Sequence, residues 1–186
     1  MSTFTSRIRR LSNFGAGILR LWNGDIWGLG LILLAGIGLR FFRLGHQGLF
    51  FDEAWSWAVS RLSPMEILRV SSTVDPQPPA YYLILKAVQG FLPSSEAGLR
   101  SFSALCSIMS LILILIFVKR WWNSRAAFYA GLWITLSTFD LYYAQETRNY
   151  TLLGLLWLLG YILMIEAMRG RPRLLVVWGV VNVLIS

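Results

Sequence analysis

The stretch Ser101–Val118, SFSALCSIMSLILILIFV, runs for 18 residues without a charge and is followed at once by Lys119-Arg120. A helix of about 20 such residues crosses the ~30 Å hydrocarbon core of a bilayer at about 1.5 Å per residue. Backbone polar groups cannot stay unpaired in lipid, so this run reads as a helix. Three others resemble it: Ile26–Phe42, broken only by Arg40; Ala126–Ala144, whose one charge is Asp140; and Tyr150–Met168, whose one charge is Glu166. A further uncharged run, Leu174–Ser186, has 13 residues and reads as a span cut short. The composition agrees. Of 186 residues, 56% are hydrophobic and 14% charged, against about 25% charged in a soluble domain. The expected fold is all-α, a polytopic transmembrane helix bundle.

The run Ala80–Leu92 is ambiguous, with 13 residues, one lysine and prolines on both sides. Charge decides its place. If it does not span and the N-terminus is cytoplasmic, residues 1–25 and the turns 119–125 and 169–173 lie inside. These segments hold ten of the 17 basic residues. Asp52, Glu53, Glu66, Asp75, Glu96 and Glu146 then lie outside. If Ala80–Leu92 spans, the Lys119–Arg125 turn changes sides and the positive-inside pattern breaks. The first arrangement is therefore expected. It has a cytoplasmic basic segment 1–25, then a membrane module 26–186 with helices near 26–42, 101–118, 126–144, 150–168 and 174–186. Residues 43–100 form one long outer loop. Residues 26–42 read as a retained helix, because no small-residue cleavage site follows a short apolar core. The net charge of +8 thus reflects topology, and nucleic-acid binding is not expected. One cysteine and one histidine exclude an internal disulfide, a zinc module and a histidine metal cluster. Cys106 reads as a packing residue and His46 as a loop residue.

The outer loop is rich in aromatic and apolar residues, which argues against disorder. Asp52–Leu62 (DEAWSWAVSRL) reads as a short helix with both acids in its first turn, where the helix dipole favours them. Ser63-Pro64 reads as a cap and first residue of another. Asp75-Pro-Gln-Pro-Pro-Ala-Tyr-Tyr82 reads as a stiff extended segment before the next helix. Asp52 and Asp75 share a side with Glu146 and Arg148, and Asp140 lies about one turn below. Carboxylates beside an arginine at a membrane surface suit proton abstraction and phosphate binding. Elsewhere, Arg40, Arg43 and Lys86 are expected to snorkel outward. Gly28, Gly30, Gly36 and Gly38 are expected to let helices pack closely. Glu166 reads as a helix-end residue beside Arg169.

Four motifs in order carry a resemblance: Phe51-Asp52-Glu53; Asp75-Pro-Gln-Pro-Pro-Ala-Tyr-Tyr82; Leu99-Arg100-Ser-Phe-Ser-Ala104; and Tyr142-Tyr-Ala-Gln-Glu-Thr-Arg-Asn-Tyr150. From about residue 20 onward the chain resembles the N-terminal part of a family 39-type glycosyltransferase of the GT-C superfamily. That group includes protein O-mannosyltransferases and lipid A aminoarabinose transferases. The resemblance implies an enzyme that moves a sugar from a polyprenyl-phosphate donor to a lipid, glycan or protein acceptor. It implies action at the outer face of the plasma membrane, by a single displacement that inverts the anomeric centre. Asp52 matches the general base and Glu53 its motif neighbour. Asp75 matches an acidic position that in some members helps bind a divalent metal, so Asp52 and Asp75 are the metal candidates. Arg148 and Arg100 are candidates for the donor phosphate. Gln77, Tyr82, Gln145, Glu146 and Tyr150 fall among donor- or acceptor-binding positions. Some members carry Lys or His near Pro76 or Gln77, and this chain has neither. On this reading 186 residues are the front module of a larger enzyme. The alternatives are a transporter or flippase lined by Asp140, Glu166 and Arg148, and a non-catalytic membrane subunit.

Overall fold

A computed structural model describes residues 26–75, 77–93 and 95–185. The expectations for the basic segment 1–25, for Pro76 and for Ser186 lie outside the described residues. Nine helices and no strand occur among the described residues: α1 (Ile26–Phe41), α2 (Phe51–Ser60), α3 (Pro64–Thr73), α4 (Pro79–Gln89), α5 (Glu96–Trp121), α6 (Ser124–Leu136), α7 (Thr138–Ala144), α8 (Tyr150–Met168) and α9 (Leu174–Ile185).

Helix α5 extends the charge-free run at both ends to 26 residues. Ser95 Oγ accepts the Gly98 N–H at 3.1 Å, Glu96 sits in the first turn, and Lys119 and Arg120 sit in the last. Each charge is at the end its sign favours. α5 and the 19-residue α8 are long and apolar enough to cross a membrane, while α1 and α9 are shorter apolar helices. Helices α1, α6, α8 and α9 form a packed set around and beside α5.

The single helix expected over 126–144 is corrected to two, α6 and α7. Ser137 adopts an extended conformation (φ −63°, ψ 112°) and stops α6. Its Oγ then accepts the Asp140 N–H at 3.3 Å and starts α7. Serine can offer the backbone an alternative partner, which is why it favours caps over helix interiors.

Two cores hold the chain. Leu29 and Ile32 of α1 pack with Leu111 and Leu115 of α5 and Ala127 of α6. Small residues bring these backbones together, since a Cβ added at Gly131 would stand 2.4 Å from Leu115 Cδ2. Of the helix-one glycines, Gly36 does the same, with Leu111 Cδ2 at 2.5 Å, whereas Gly30 and Gly38 face open space. The second core forms from the 43–100 segment. Val59, Ile67, Tyr81, Tyr82 and Leu85 of α2–α4 are buried against Phe102 and Cys106 of α5 and Leu152 of α8. Each such side chain removed from water contributes about 1.5–3 kcal/mol. The segment is therefore a packed three-helix layer at one end of the long helices. The 11-residue α4 within it is about 16 Å long, far short of a span.

Three basic residues correct the snorkelling expectation or refine it. Arg40 is fully buried, its guanidinium turned onto Asp140 and Ser107. Lys86 Nζ donates to the Leu62 carbonyl at 2.9 Å and the Arg61 carbonyl at 3.4 Å, closing the end of α2. Arg43 is exposed and bonded to His46 at a left-handed backbone position (φ 55°). At the far end, Glu166 is a buried junction: it accepts from Trp121 Nε1 at 3.1 Å and pairs with Arg120 at 3.3 Å and Arg171 at 3.4 Å.

Candidate active site

The site is built where the start of α2, the start of α5 and the turn after α7 meet. Phe50 is extended (φ −70°, ψ 162°) and its N–H donates to Glu53 Oε2 at 3.0 Å, which fixes the first turn of α2. Glu53 therefore turns inward and is 1% exposed. Its Oε1 accepts Arg100 Nε at 2.9 Å and the Thr147 N–H at 2.9 Å, and its Oε2 accepts Arg100 Nη2 at 2.7 Å. Arg100 also donates to the carbonyls of Leu44 (3.0 Å), Gln47 (2.8 Å) and Gly48 (3.0 Å). All five guanidinium N–H groups thus have partners within the chain. Burial acts to raise the Glu53 carboxyl, but Arg100 and the two backbone N–H groups outweigh it. The carboxyl is held below the ordinary carboxylate range.

Asp52 sits one residue earlier, so it points about 100° away around the helix. Its side chain is 65% exposed and its Oδ2 lies 3.9 Å from Arg148 Nη2. Between them opens a cavity of about 350 Å³ lined by Phe50, Asp52, Glu53, Tyr142, Tyr143, Glu146, Arg148 and Tyr150. Arg148 stands over the Tyr150 ring, 5.7 Å from its centroid. Phe139, Tyr143 and Tyr150 follow one another in edge-on and tilted contacts, with centroids 4.6 and 4.5 Å apart, leading from α7 up to that arginine. The cavity thus has an open carboxylate on one wall, a cation on another and an aromatic floor. A second cavity, of about 300 Å³, shares Phe50, Tyr142 and Glu146 with it and continues past Gln47 and His46.

The remaining expected site residues serve as braces. Asp75 accepts from Trp55 Nε1 at 2.9 Å and from the Tyr82 hydroxyl, tying the proline segment to α2 and α4. Burial first, then Asp75, push the Tyr82 phenol well above its usual range, so it stays a donor. Gln77 bonds Asn149 across to the turn before α8. Gln145 Nε2 donates to the carbonyls of Leu39 (3.1 Å) and Phe42 (3.1 Å) and caps the end of α1. The structure thus brings Asp52, Glu53, Glu146, Arg148 and Tyr150 to one cavity and uses Asp75, Gln77, Tyr82, Arg100 and Gln145 around it. Phe50, Tyr142 and Tyr143 line the cavity without having been expected to. Their signal was adjacency, since each lies within or beside a motif already noted. Of the two metal candidates, Asp52 opens onto the cavity and Asp75 lies in the brace between α2 and α4. No group of three or more His, Cys, Asp or Glu suited to a metal occurs among the described residues. Asp75 is taken by two hydrogen bonds, and Asp52 faces a cation.

The profile of the dolichyl-phosphate-mannose-protein mannosyltransferase family matches residues 76–184. The chain belongs to this family. Its members are membrane glycosyltransferases of the mannosyltransferase type. Nothing matches among curated proteins or among solved structures. The mannosyltransferase match includes Arg100, Glu146, Arg148 and Tyr150, and it begins after Asp52 and Asp75.

Proposed function

We propose that this protein transfers a sugar from a polyprenyl-phosphate donor to an acceptor hydroxyl in the cavity between Asp52 and Arg148. The observation that carries the reading is that exposed carboxylate facing a largely buried guanidinium at 3.9 Å. The contact is too long for a firm hydrogen bond, and a phosphate oxygen entering between the two groups would take over the arginine. Asp52 accepts the proton of the acceptor hydroxyl as its oxygen attacks the anomeric carbon. The bond from that carbon to the donor phosphate oxygen breaks. The electron pair leaves with the phosphate, whose added charge Arg148 stabilises. One displacement needs one base and inverts the centre, with no glycosyl-enzyme carboxylate. The tail of the donor would lie along Phe139, Tyr143 and Tyr150.

In this reading the 43–100 layer lies at the outer face of the plasma membrane and the Lys119–Arg125 turn on the cytoplasmic side. The long helices form a polytopic bundle between them. The acceptor is a sugar, lipid or protein hydroxyl.

The test is transfer of labelled mannose from polyprenyl-phosphate mannose into host membranes by the reconstituted protein. Arg148→Met is expected to raise the donor KM by about tenfold or more, since a charge-assisted contact contributes about 1.5–3 kcal/mol. No donor turnover by the wild-type protein, or an unchanged donor KM in Arg148→Met, would contradict the reading.

A further inference from the structure

Among the described residues Arg40 is the most deeply buried cation, at the α1–α5–α7 junction, and the proposed transfer chemistry does not use it. Its Nε donates to Ser107 Oγ at 2.6 Å and its Nη1 to the Gly36 carbonyl at 3.0 Å. Its Nη2 donates to Asp140 and, at 3.4 Å, to the Ile134 carbonyl. Ser107 Oγ in turn donates to Asp140 Oδ2 at 2.6 Å. One side chain of α1 thus reaches three other helices, α5, α6 and α7. Two features make room and need for it. A Cβ at Gly36 would lie 3.3 Å from Arg40 Nη1, so the glycine lets the arginine fold back along its own helix. The break at Ser137 interrupts the α6 ladder, and Arg40 adds a donor at the Ile134 carbonyl there. Polar groups at such depth are costly and are retained for a task.

From Asp140 the chain reaches Glu146 and Arg148 within eight residues. That short arm is held at its tip by Glu53 on the Thr147 N–H (2.9 Å) and by Gln145 on the α1 carbonyls (3.1 Å). Its root is the Arg40 junction. We propose that Arg40, Ser107 and Asp140 form a positioning device that sets the angle between α6 and α7 and so the separation of Arg148 from Asp52. The junction's importance for transfer rests on the reading above; its effect on the site's geometry does not.

Spin labels report that geometry in the protein reconstituted in lipid nanodiscs, with Cys106→Ala removing the native thiol. One pair, Phe51→Cys with Tyr142→Cys, spans from α2 to α7 between exposed positions. A control pair, Phe51→Cys with Met65→Cys, stays within the three-helix layer. Arg40→Met, Asp140→Asn and Ser107→Ala are each expected to broaden or shift the 51–142 distance by several ångström and leave the 51–65 distance unchanged. Ser107→Ala keeps the charge pair and carries the test if Arg40→Met does not fold. Wild-type 51–142 distances in the folded variants, or equal broadening of both pairs, would overturn the proposal. Donor turnover by the same wild-type preparation separates the two readings. Shifted distances with no turnover would sink the transferase and leave the positioning device standing.

Discussion

Asp52 and Glu53 are neighbours with opposite surroundings, and the difference follows from one helical step. Glu53 meets a buried arginine and two backbone N–H groups, while Asp52 meets solvent and the Arg148 wall. Both were read from the sequence as one acidic pair. Which of the two is free depends on where Arg100 arrives from 47 residues away, and no local pattern encodes that. Removing one partner of a buried pair leaves the other charge uncompensated. Glu53→Gln is therefore expected to cost about 3–5 kcal/mol, read as a lowered unfolding temperature. The pH dependence has a definite sign. The Glu53 carboxyl is depressed in the folded state, so its stabilisation is present above the ordinary glutamate range, about 4.3. It is lost as pH falls through the lower folded value. The acid limb of the unfolding-temperature profile should be steeper in the wild type than in Glu53→Gln, and identical limbs would show that the carboxylate contributes nothing.

At the scale of elements, α5 and α8 were legible because a long charge-free run has few other fates near a bilayer. The short helices α2 and α3 were legible from their acidic first turn and the Ser63-Pro64 start, and Ser63 does accept the Glu66 N–H, at 3.4 Å. The division of residues 126–144 was not legible, because Ser137-Thr138 inside an apolar run looks like tolerable helix until its cap is seen. Arg40 was misread for a related reason. Snorkelling is the default for an arginine near a helix end, and its partners Ser107 and Asp140 lie 67 and 100 residues away. The loop layer makes its own prediction. Leu85 is fully buried between α2, α3 and the long helices. Leu85→Ala should cost about 2–5 kcal/mol and release α4, which thermal unfolding and amide exchange of α4 would register. A cost below about 1 kcal/mol would mean that the layer is not a core.

For the molecule as a whole, the charge asymmetry makes a statement about sides. The acidic layer and the basic turns sit at opposite ends of α5, whose first turn holds Glu96 and whose last holds Lys119 and Arg120. Single cysteines at the exposed positions Phe51 and Phe91 should react with a membrane-impermeant maleimide on intact cells. One at the exposed Trp122 should react only after permeabilisation. The reverse pattern would invert the topology and put the cavity on the other face. The family places the chain among mannosyltransferases, and the cavity sets an exposed carboxylate beside a largely buried guanidinium, the two groups the proposed transfer uses.

The most direct measurement of the central claim is the turnover of polyprenyl-phosphate mannose by Asp52→Asn beside Asp75→Asn and the wild type, in matched membranes. Loss of a general base predicts a kcat lower by about 10²–10⁴-fold for Asp52→Asn, with the donor KM little changed. Asp75→Asn, which alters a brace, should fall far less. Equal turnover by Asp52→Asn and the wild type would contradict the account.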